Sequence, residues 1–353
     1  MRVRLRCSLL FLAAGVACAS SEDVFPTDVD GSSGSGGGEP FAEGGGGTSL
    51  VDPCAAATDL EAEVPLLEVA PDAIDPQARP EALPHVYATP LGPPRDRLLL
   101  FISGTDPGYL EGEQTPAGGQ FYGSFLRQAA GLGFHVVGIT YVNDTPINVT
   151  CGGLAPRLNC HEELRLEVLT GDDRWPEVEV TRPDSLLERF SRLLAHLGWT
   201  QFLDGEDGIA WPRVAVAGHS QGAGHAALLG KLFAVDRALL FAGTEGAVWT
   251  DRSTETFVTP PTAYFGFNST FDAVYPSNLR SWDNLAIPGP VTELSDDLVV
   301  PPDATHQLAT TVAARDGNDH GTVVVDDAVP LTEAGTPAMR PVWCHLLTAP
   351  TGG

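Results

Sequence analysis

Residues 214–226 read VAVAGHSQGAGHA, and the fold turns on how that run divides. Val214 to Ala217 are small or β-branched and all apolar, the composition of a strand buried on both faces of a parallel sheet. Gln221 to Ala234 is rich in Ala, Leu and Gly, which suits a helix packed closely against such a sheet. Between strand and helix lies Gly218-His219-Ser220-Gln221-Gly222. In so tight a corner the serine takes a strained backbone that lifts its hydroxyl clear, and the residues two before and two after it have no room for a side chain. Ser220 is the candidate nucleophile, and Gly218 and Gly222 are the elbow glycines.

A bare G-x-S-x-G says little in a chain with 39 glycines, where the plain alternative is a Gly-rich turn around an ordinary buried serine. The flanks favour the elbow: a strand before, a helix after, and small residues at Ala223 and Gly224 for close helix-to-sheet approach. On these residues the chain resembles the α/β-hydrolase superfamily, and more narrowly its secreted bacterial esterase-like members. The resemblance spans roughly residues 80 to 350 and is specific only around Ser220. It implies an α/β fold, a mostly parallel central sheet flanked by helices on both faces, and no cofactor.

A length of 353 residues holds one large α/β domain and a tail. With 20 basic against 46 acidic residues the formal charge is −26, which would repel phosphate backbones and anionic membranes and so excludes a nucleic-acid partner. Arg2, Arg4 and Arg6 precede the apolar run LLFLAAGVA at 9–17, which reads as an export signal over residues 1–17. Gly15-Val16-Ala17-Cys18 resembles a bacterial lipoprotein processing site, so lipidation of Cys18 is expected. Gly15 is not the leucine such sites prefer, and plain cleavage near Ala17 to Ser20 stays open. No other stretch approaches the roughly eighteen apolar residues of a membrane span, so a lipid would be the only membrane attachment. Either route makes the protein exported, as a bacterial cell-envelope lipoprotein or a secreted or periplasmic protein.

Of the six cysteines, Cys7 leaves with the signal and Cys18 is assigned to a lipid; 6 − 2 leaves Cys54, Cys151, Cys160 and Cys344. An even number in an oxidising compartment suggests two disulfides, with three pairings open. Cys151 with Cys160 would close a short loop, and Cys54 with Cys344 would clamp the start of the domain to its end. A metal site is not indicated, since neither C-x-x-C nor H-E-x-x-H occurs.

Residues 18–50 are mostly Ser, Gly, Glu and Asp, including GSSGSGGGEP at 31–40, and read as a flexible acidic linker ahead of a domain over 51–353. Within the domain, Val51 to Pro94 reads as extended chain with a first strand at Val86 to Thr89. RLLLFIS (97–103) and HVVGITY (135–141) are strands around a helix over Gly118 to Leu132, one right-handed crossover unit. Residues 143–181 interrupt the rhythm and read as a cap-like insertion carrying Cys151 and Cys160, with a plain surface loop as the alternative. Apolar residues at Leu186, Leu187, Phe190, Leu193, Leu194 and Leu197 form a helical core stripe. After the elbow come strands at Ala238 to Ala242, Thr262 to Phe267 and Gln307 to Ala313.

A serine hydroxyl needs an imidazole to take its proton and a carboxylate to orient that imidazole. The resemblance implies the chain order Ser, acid, His, with acid and base on loops after later strands. Asp272, just past TAYFGF, and His320, in the Gly-rich loop past QLATTVA, meet that order. Asp283, Asp296 and Asp297 compete as the acid but lie further from a strand end. His306 precedes its strand, His219 and His225 adjoin the elbow and point by sequence toward the helix, and His345 lies near the tail. The resemblance also implies an oxyanion hole from the backbone N–H groups of Gln221 and, by position, Thr105.

The function expected is hydrolysis of carboxylic esters through an acyl-enzyme on Ser220, His320 and Asp272. Amides, peptides or polyesters on the same triad, and a non-catalytic surface-binding lipoprotein that reuses the fold, are the alternatives.

Overall fold

The computed structural model describes residues 60–81, 83–105, 119–144, 146–152, 159–176, 178–205, 208–244, 248–294 and 296–352. The expected export signal and linker, with Cys18 and Cys54, lie outside the described residues. The first elements are α1 (Leu60–Glu63), β1 (Leu67–Val69), α2 (Pro71–Ile74), β2 (His85–Ala88), β3 (Leu98–Ile102), α3 (Gly123–Gly131) and β4 (His135–Ile139). The middle of the chain forms α4 (Ile147–Gly152), α5 (Cys160–Thr170), α6 (Leu186–His196), β5 (Leu203–Asp204), β6 (Gly208–Ile209), β7 (Val214–His219) and α7 (Gln221–Leu232). The last third adds β8 (Arg237–Phe241), β9 (Tyr264–Ser269), α8 (Tyr275–Asn284), β10 (Thr292–Leu294), β11 (Gln307–Thr310) and α9 (Arg340–Thr348).

One nine-stranded sheet runs in the order β1-β2-β4-β3-β7-β8-β9-β11-β10, and β5 and β6 form a separate hairpin. β2 is antiparallel to both its neighbours, and from β4 to β10 every pairing is parallel. That order and direction, with helices on both faces, is the α/β-hydrolase fold expected from the elbow. β7 lies at the centre, registered Leu98↔Val214 through Ile102↔Gly218 against β3 and Ala215↔Arg237 through His219↔Phe241 against β8.

Central strands buried on both faces sort their side chains by parity. Leu98, Leu100, Ile102, Val214 and Val216 join one core with Leu164 and Val168 of α5, Phe190 and Leu193 of α6, and Ala226 and Leu229 of α7. Leu99, Phe101, Ala215, Ala217 and Phe241 join the opposite core with Phe125 and Leu126 of α3 and Trp343 and Leu347 of α9. α6 starts where its stripe begins: Ser185 caps it, its Oγ accepting from Glu188 N at 3.3 Å.

The insertion at 143–181 contains α4 and α5, joined by a Cys151–Cys160 disulfide. α5 packs against α6 and α7 and buries Cys160, Leu164, Val168 and Leu169. Cys344 is also disulfide-bonded, while its expected partner Cys54 lies outside the described residues. The strand expected over Gln307 to Ala313 ends at Thr310. β1, β10 and α9 have no counterpart in the sequence reading. β1 and β10 are three-residue edge strands, and α9 opens on Arg340-Pro341, where a proline tolerated in the first helical turn left no clear start.

Candidate active site

The parallel strands all point their C-terminal ends to one edge of the sheet, where open α/β folds place their sites. Ser220 stands at that edge, one residue past β7, with φ 54° and ψ −120°. A non-glycine residue in that region carries about 1–3 kcal/mol of strain. Neighbours hold it there: Ser220 N donates to Phe241 O at 2.9 Å, and Ser220 O accepts from Ala223 N at 3.0 Å. Gly218 and Gly222 stand where no side chain fits. A Cβ on Gly218 would overlap the Gly222 carbonyl, and one on Gly222 would overlap the carbonyl oxygens of Ile102 and Ser103.

Asp272 lies three residues past β9, in a turn that uses most of its polar atoms. Its N donates to Ser269 O at 3.2 Å, its Oδ1 accepts from Val274 N at 3.0 Å, and its carbonyl accepts from Tyr275 N at 3.0 Å as α8 opens. Oδ2 is left for His320 Nδ1, at 2.8 Å. Asp283, Asp296 and Asp297, the competing acids, are exposed.

His320 lies ten residues past β11, in a loop anchored from behind. Asp326 accepts from Gly123 N at 2.8 Å and Ser124 N at 3.0 Å at the start of α3, and Trp343 Nε1 of α9 donates to Val323 O at 2.8 Å. Burial pushes the Asp326 carboxyl up, against the opposing pull of the Ser124 and Gly123 N–H groups. The backbone carbonyl of His320 meets His219 Nε2 at 2.9 Å, so the loop is tied to the residue immediately before Ser220.

The other histidines are engaged elsewhere. His306 stacks on Phe265 at 4.1 Å, and His345 belongs to α9. His225 is buried in α7 against Tyr141, and burial, then the Arg165 charge, holds it well below the usual imidazole range. His219 was expected to point toward the helix after the elbow and points away from it. By strand parity its side chain falls on the α3 face, where Nδ1 meets Tyr122 Oη at 3.0 Å. Burial, then the nearby His320, lowers it to about 3.

Thr105 and Gln221 come together: Thr105 Oγ1 donates to Gln221 Oε1 at 2.9 Å, and Ile147 N of α4 donates to the same oxygen at 3.1 Å. The peptide that carries Thr105 N–H has a fixed direction, because Asn143 Nδ2 donates to Gly104 O at 2.6 Å. In a trans peptide the N–H points opposite to the C=O, so Asn143 turns Thr105 N–H away from itself. Gln221 N is the first amide of α7, one of the N-terminal donors with no acceptor inside the helix. Arg165 of α5, fully buried, donates from Nη1 to Gln221 O at 2.8 Å and steadies the same turn.

Tyr122, Asn143 and Arg165 were not singled out from the sequence. Only Asn143 carried a signal, a polar residue just past the C-terminal end of a central strand. Chemically the arrangement supplies a serine on a strained backbone, an imidazole bonded to a buried carboxylate on the same edge, and a free backbone donor at a helix start. Among the described residues no cluster of His, Cys, Asp and Glu is arranged to hold a metal ion.

No protein-family model matches the sequence, and no curated protein matches it. Solved structures do match. TT1662 from Thermus thermophilus is 16% identical, with 81% of this chain and 99% of that chain covered at a TM-score of 0.39. A bacterial heroin esterase is 14% identical, with 83% of this chain and 85% of its own covered at a TM-score of 0.41. A hyperthermophilic esterase from the archaeon Pyrobaculum calidifontis is 13% identical, with 80% and 85% covered at a TM-score of 0.39. Likeness this distant says nothing about chemistry, which stands on the geometry above.

Proposed function

We propose that this protein is an exported serine hydrolase that cleaves carboxylic esters by acyl transfer through Ser220. The observation that carries the reading is the 2.8 Å contact of His320 Nδ1 with the buried Asp272 carboxylate, on the sheet edge where Ser220 holds its strained conformation.

In this reading Ser220 Oγ attacks the acyl carbon as its proton passes to His320 Nε2, and Asp272 stabilises the imidazolium that forms. The N–H groups of Gln221 and Thr105 receive the oxyanion, each worth about 3–4 kcal/mol of barrier in sites of this kind. Collapse expels the alcohol, which takes the proton from His320. Water then attacks the acyl-enzyme, again deprotonated by His320, and releases the acid with Ser220 restored.

The Cys151–Cys160 disulfide fits the oxidising compartment that an export signal over 1–17 would reach, with 18–50 as a tether and Cys18 as its lipid anchor. The test is a panel of p-nitrophenyl esters, anilides and polyester films on the body without its first fifty or so residues, run beside Ser220→Ala. Ester turnover that disappears in the variant supports the reading. Ester turnover that survives in Ser220→Ala overturns it.

A further inference from the structure

We infer that Tyr122 and His219 are positioning residues: through one hydrogen-bonded chain they join the Gly104 turn to the His320 loop and set where His320 stands beside Ser220. This rests on reading Ser220 and His320 as nucleophile and base. Gly104 N lies 3.2 Å from Tyr122 Oη, Tyr122 Oη 3.0 Å from His219 Nδ1, and His219 Nε2 2.9 Å from His320 O.

Proton placement follows from the ends of the chain. A backbone N–H can only donate, so Tyr122 Oη accepts from Gly104. A carbonyl can only accept, so His219 carries its proton on Nε2 and gives it to His320 O. Nδ1 is then an acceptor, and the tyrosine hydroxyl fills it. One neutral tautomer of His219 satisfies all three contacts, and burial, which holds His219 down at about 3, keeps that neutral form. Burial likewise raises the Tyr122 hydroxyl, so it stays protonated and able to donate.

The need for such a chain lies in the loop that carries the base. The His320 ring is hydrogen-bonded to Asp272 at Nδ1 and packs beside the His219 ring, 4.9 Å between centroids, and a ring bonded at one atom can still swing about it. Holding the His320 backbone to the residue before Ser220 removes that freedom at its root. At its other end the chain reaches Gly104, where a Cβ would stand 3.3 Å from Ser220 Cβ. Both walls of the nucleophile are thus referred to one buried tyrosine. Displacement of a reacting group by about 1 Å can cost on the order of a hundredfold in rate.

The experiment compares the parent with Tyr122→Phe, His219→Leu and His219→Gln. It measures kcat and KM on p-nitrophenyl acetate and the rate of Ser220 labelling by a fluorophosphonate, with near-UV circular dichroism to establish folding. Tyr122→Phe is expected to lower kcat and labelling together by about tenfold or more, with KM within about threefold. His219→Leu is expected to fall at least as far. His219→Gln, whose amide can still donate to His320 O, should recover at least about threefold over His219→Leu; a purely space-filling role would not separate the two.

A folded Tyr122→Phe with kcat and labelling within twofold of the parent overturns the inference. So do equal rates for the two His219 variants, which decide the matter if Tyr122→Phe does not fold. A parent that is neither labelled nor active removes the nucleophile reading itself, whereas an active, labelled parent with unaffected variants removes this inference alone.

Discussion

Asp272 Oδ2 and His320 Nδ1 lie 2.8 Å apart, joined across 48 residues of chain, and the two side chains differ in exposure, 3% against 35%. The carboxylate is shut away with one oxygen given to Val274 N and the other to the imidazole. The imidazole keeps an open side for chemistry. Such a pairing is worth more to a charged, proton-accepting His320 than to the resting ring, so its effect should appear in turnover. Asp272→Asn is expected to lower kcat on p-nitrophenyl acetate by about 10³ to 10⁴ with a small change in KM. Loss of less than about tenfold would show that the pair serves only to hold the loop.

Asn143 touches the proposed site one step back, through the Gly104 carbonyl. Removing its amide frees the Gly104–Thr105 peptide to rotate and so to misdirect Thr105 N–H. Asn143→Ala is expected to lower kcat by about 10 to 100 fold, part of the value of one oxyanion donor, and to cost about 1–3 kcal/mol of stability from the unsatisfied buried carbonyl. Steady-state kinetics beside a urea melt checks both numbers.

The elbow glycines make a prediction about folding. An added methyl at Gly222 meets the backbone oxygens of Ile102, the last residue of β3, and Ser103 just past it, and backbone cannot yield as a side chain would. Gly222→Ala is therefore expected to lose more than about 3 kcal/mol or to fail to accumulate folded protein. A melt within a few degrees of the parent would show that the strand-to-helix corner is looser than described.

Three buried histidines make stability depend on pH. Burial pulls His85 and His219 down to about 3 and His225 well below its usual range, while in the unfolded chain each titrates near 6.5. The folded pKa values are depressed, so the stability is full above about 6.5 and is lost as pH falls toward 3. Between pH 7.5 and 5.5, before most carboxylates protonate, the loss is expected to be on the order of 4 kcal/mol. Urea midpoints measured across that window should fall on acidification; a flat or rising trend would contradict neutral burial of these rings.

What could be read in the sequence follows from where information sits along the chain. Ser220 and Asp272 sit one and three residues past apolar strand runs, so strand ends bring them to one edge, whereas His320, ten residues past β11, also needs the contacts that hold its loop. The long central strands were legible for the same reason, being apolar runs buried on both faces. Asn143 and Tyr122 both reach Gly104, and Tyr122 reaches His219, because the strand order β4-β3-β7 makes neighbours of distant segments, and nothing local to Tyr122 or Asn143 encodes that order. His219 is a different matter. Its parity with Ala215 and Ala217 already placed it on their face of the sheet, and nearness to the helix in sequence misdirected the reading. β1 and β10 escaped because three residues at a sheet edge show no period.

The most direct test of Ser220 as nucleophile is intact-mass analysis after brief reaction with a fluorophosphonate, on the parent and on Ser220→Ala of matching thermal stability. The parent is expected to gain a single adduct that maps to Ser220 and to lose its hydrolysis of p-nitrophenyl acetate in step, while the variant gains none. An adduct on Ser220→Ala, or a labelled parent that still hydrolyses the ester at its full rate, would contradict the account.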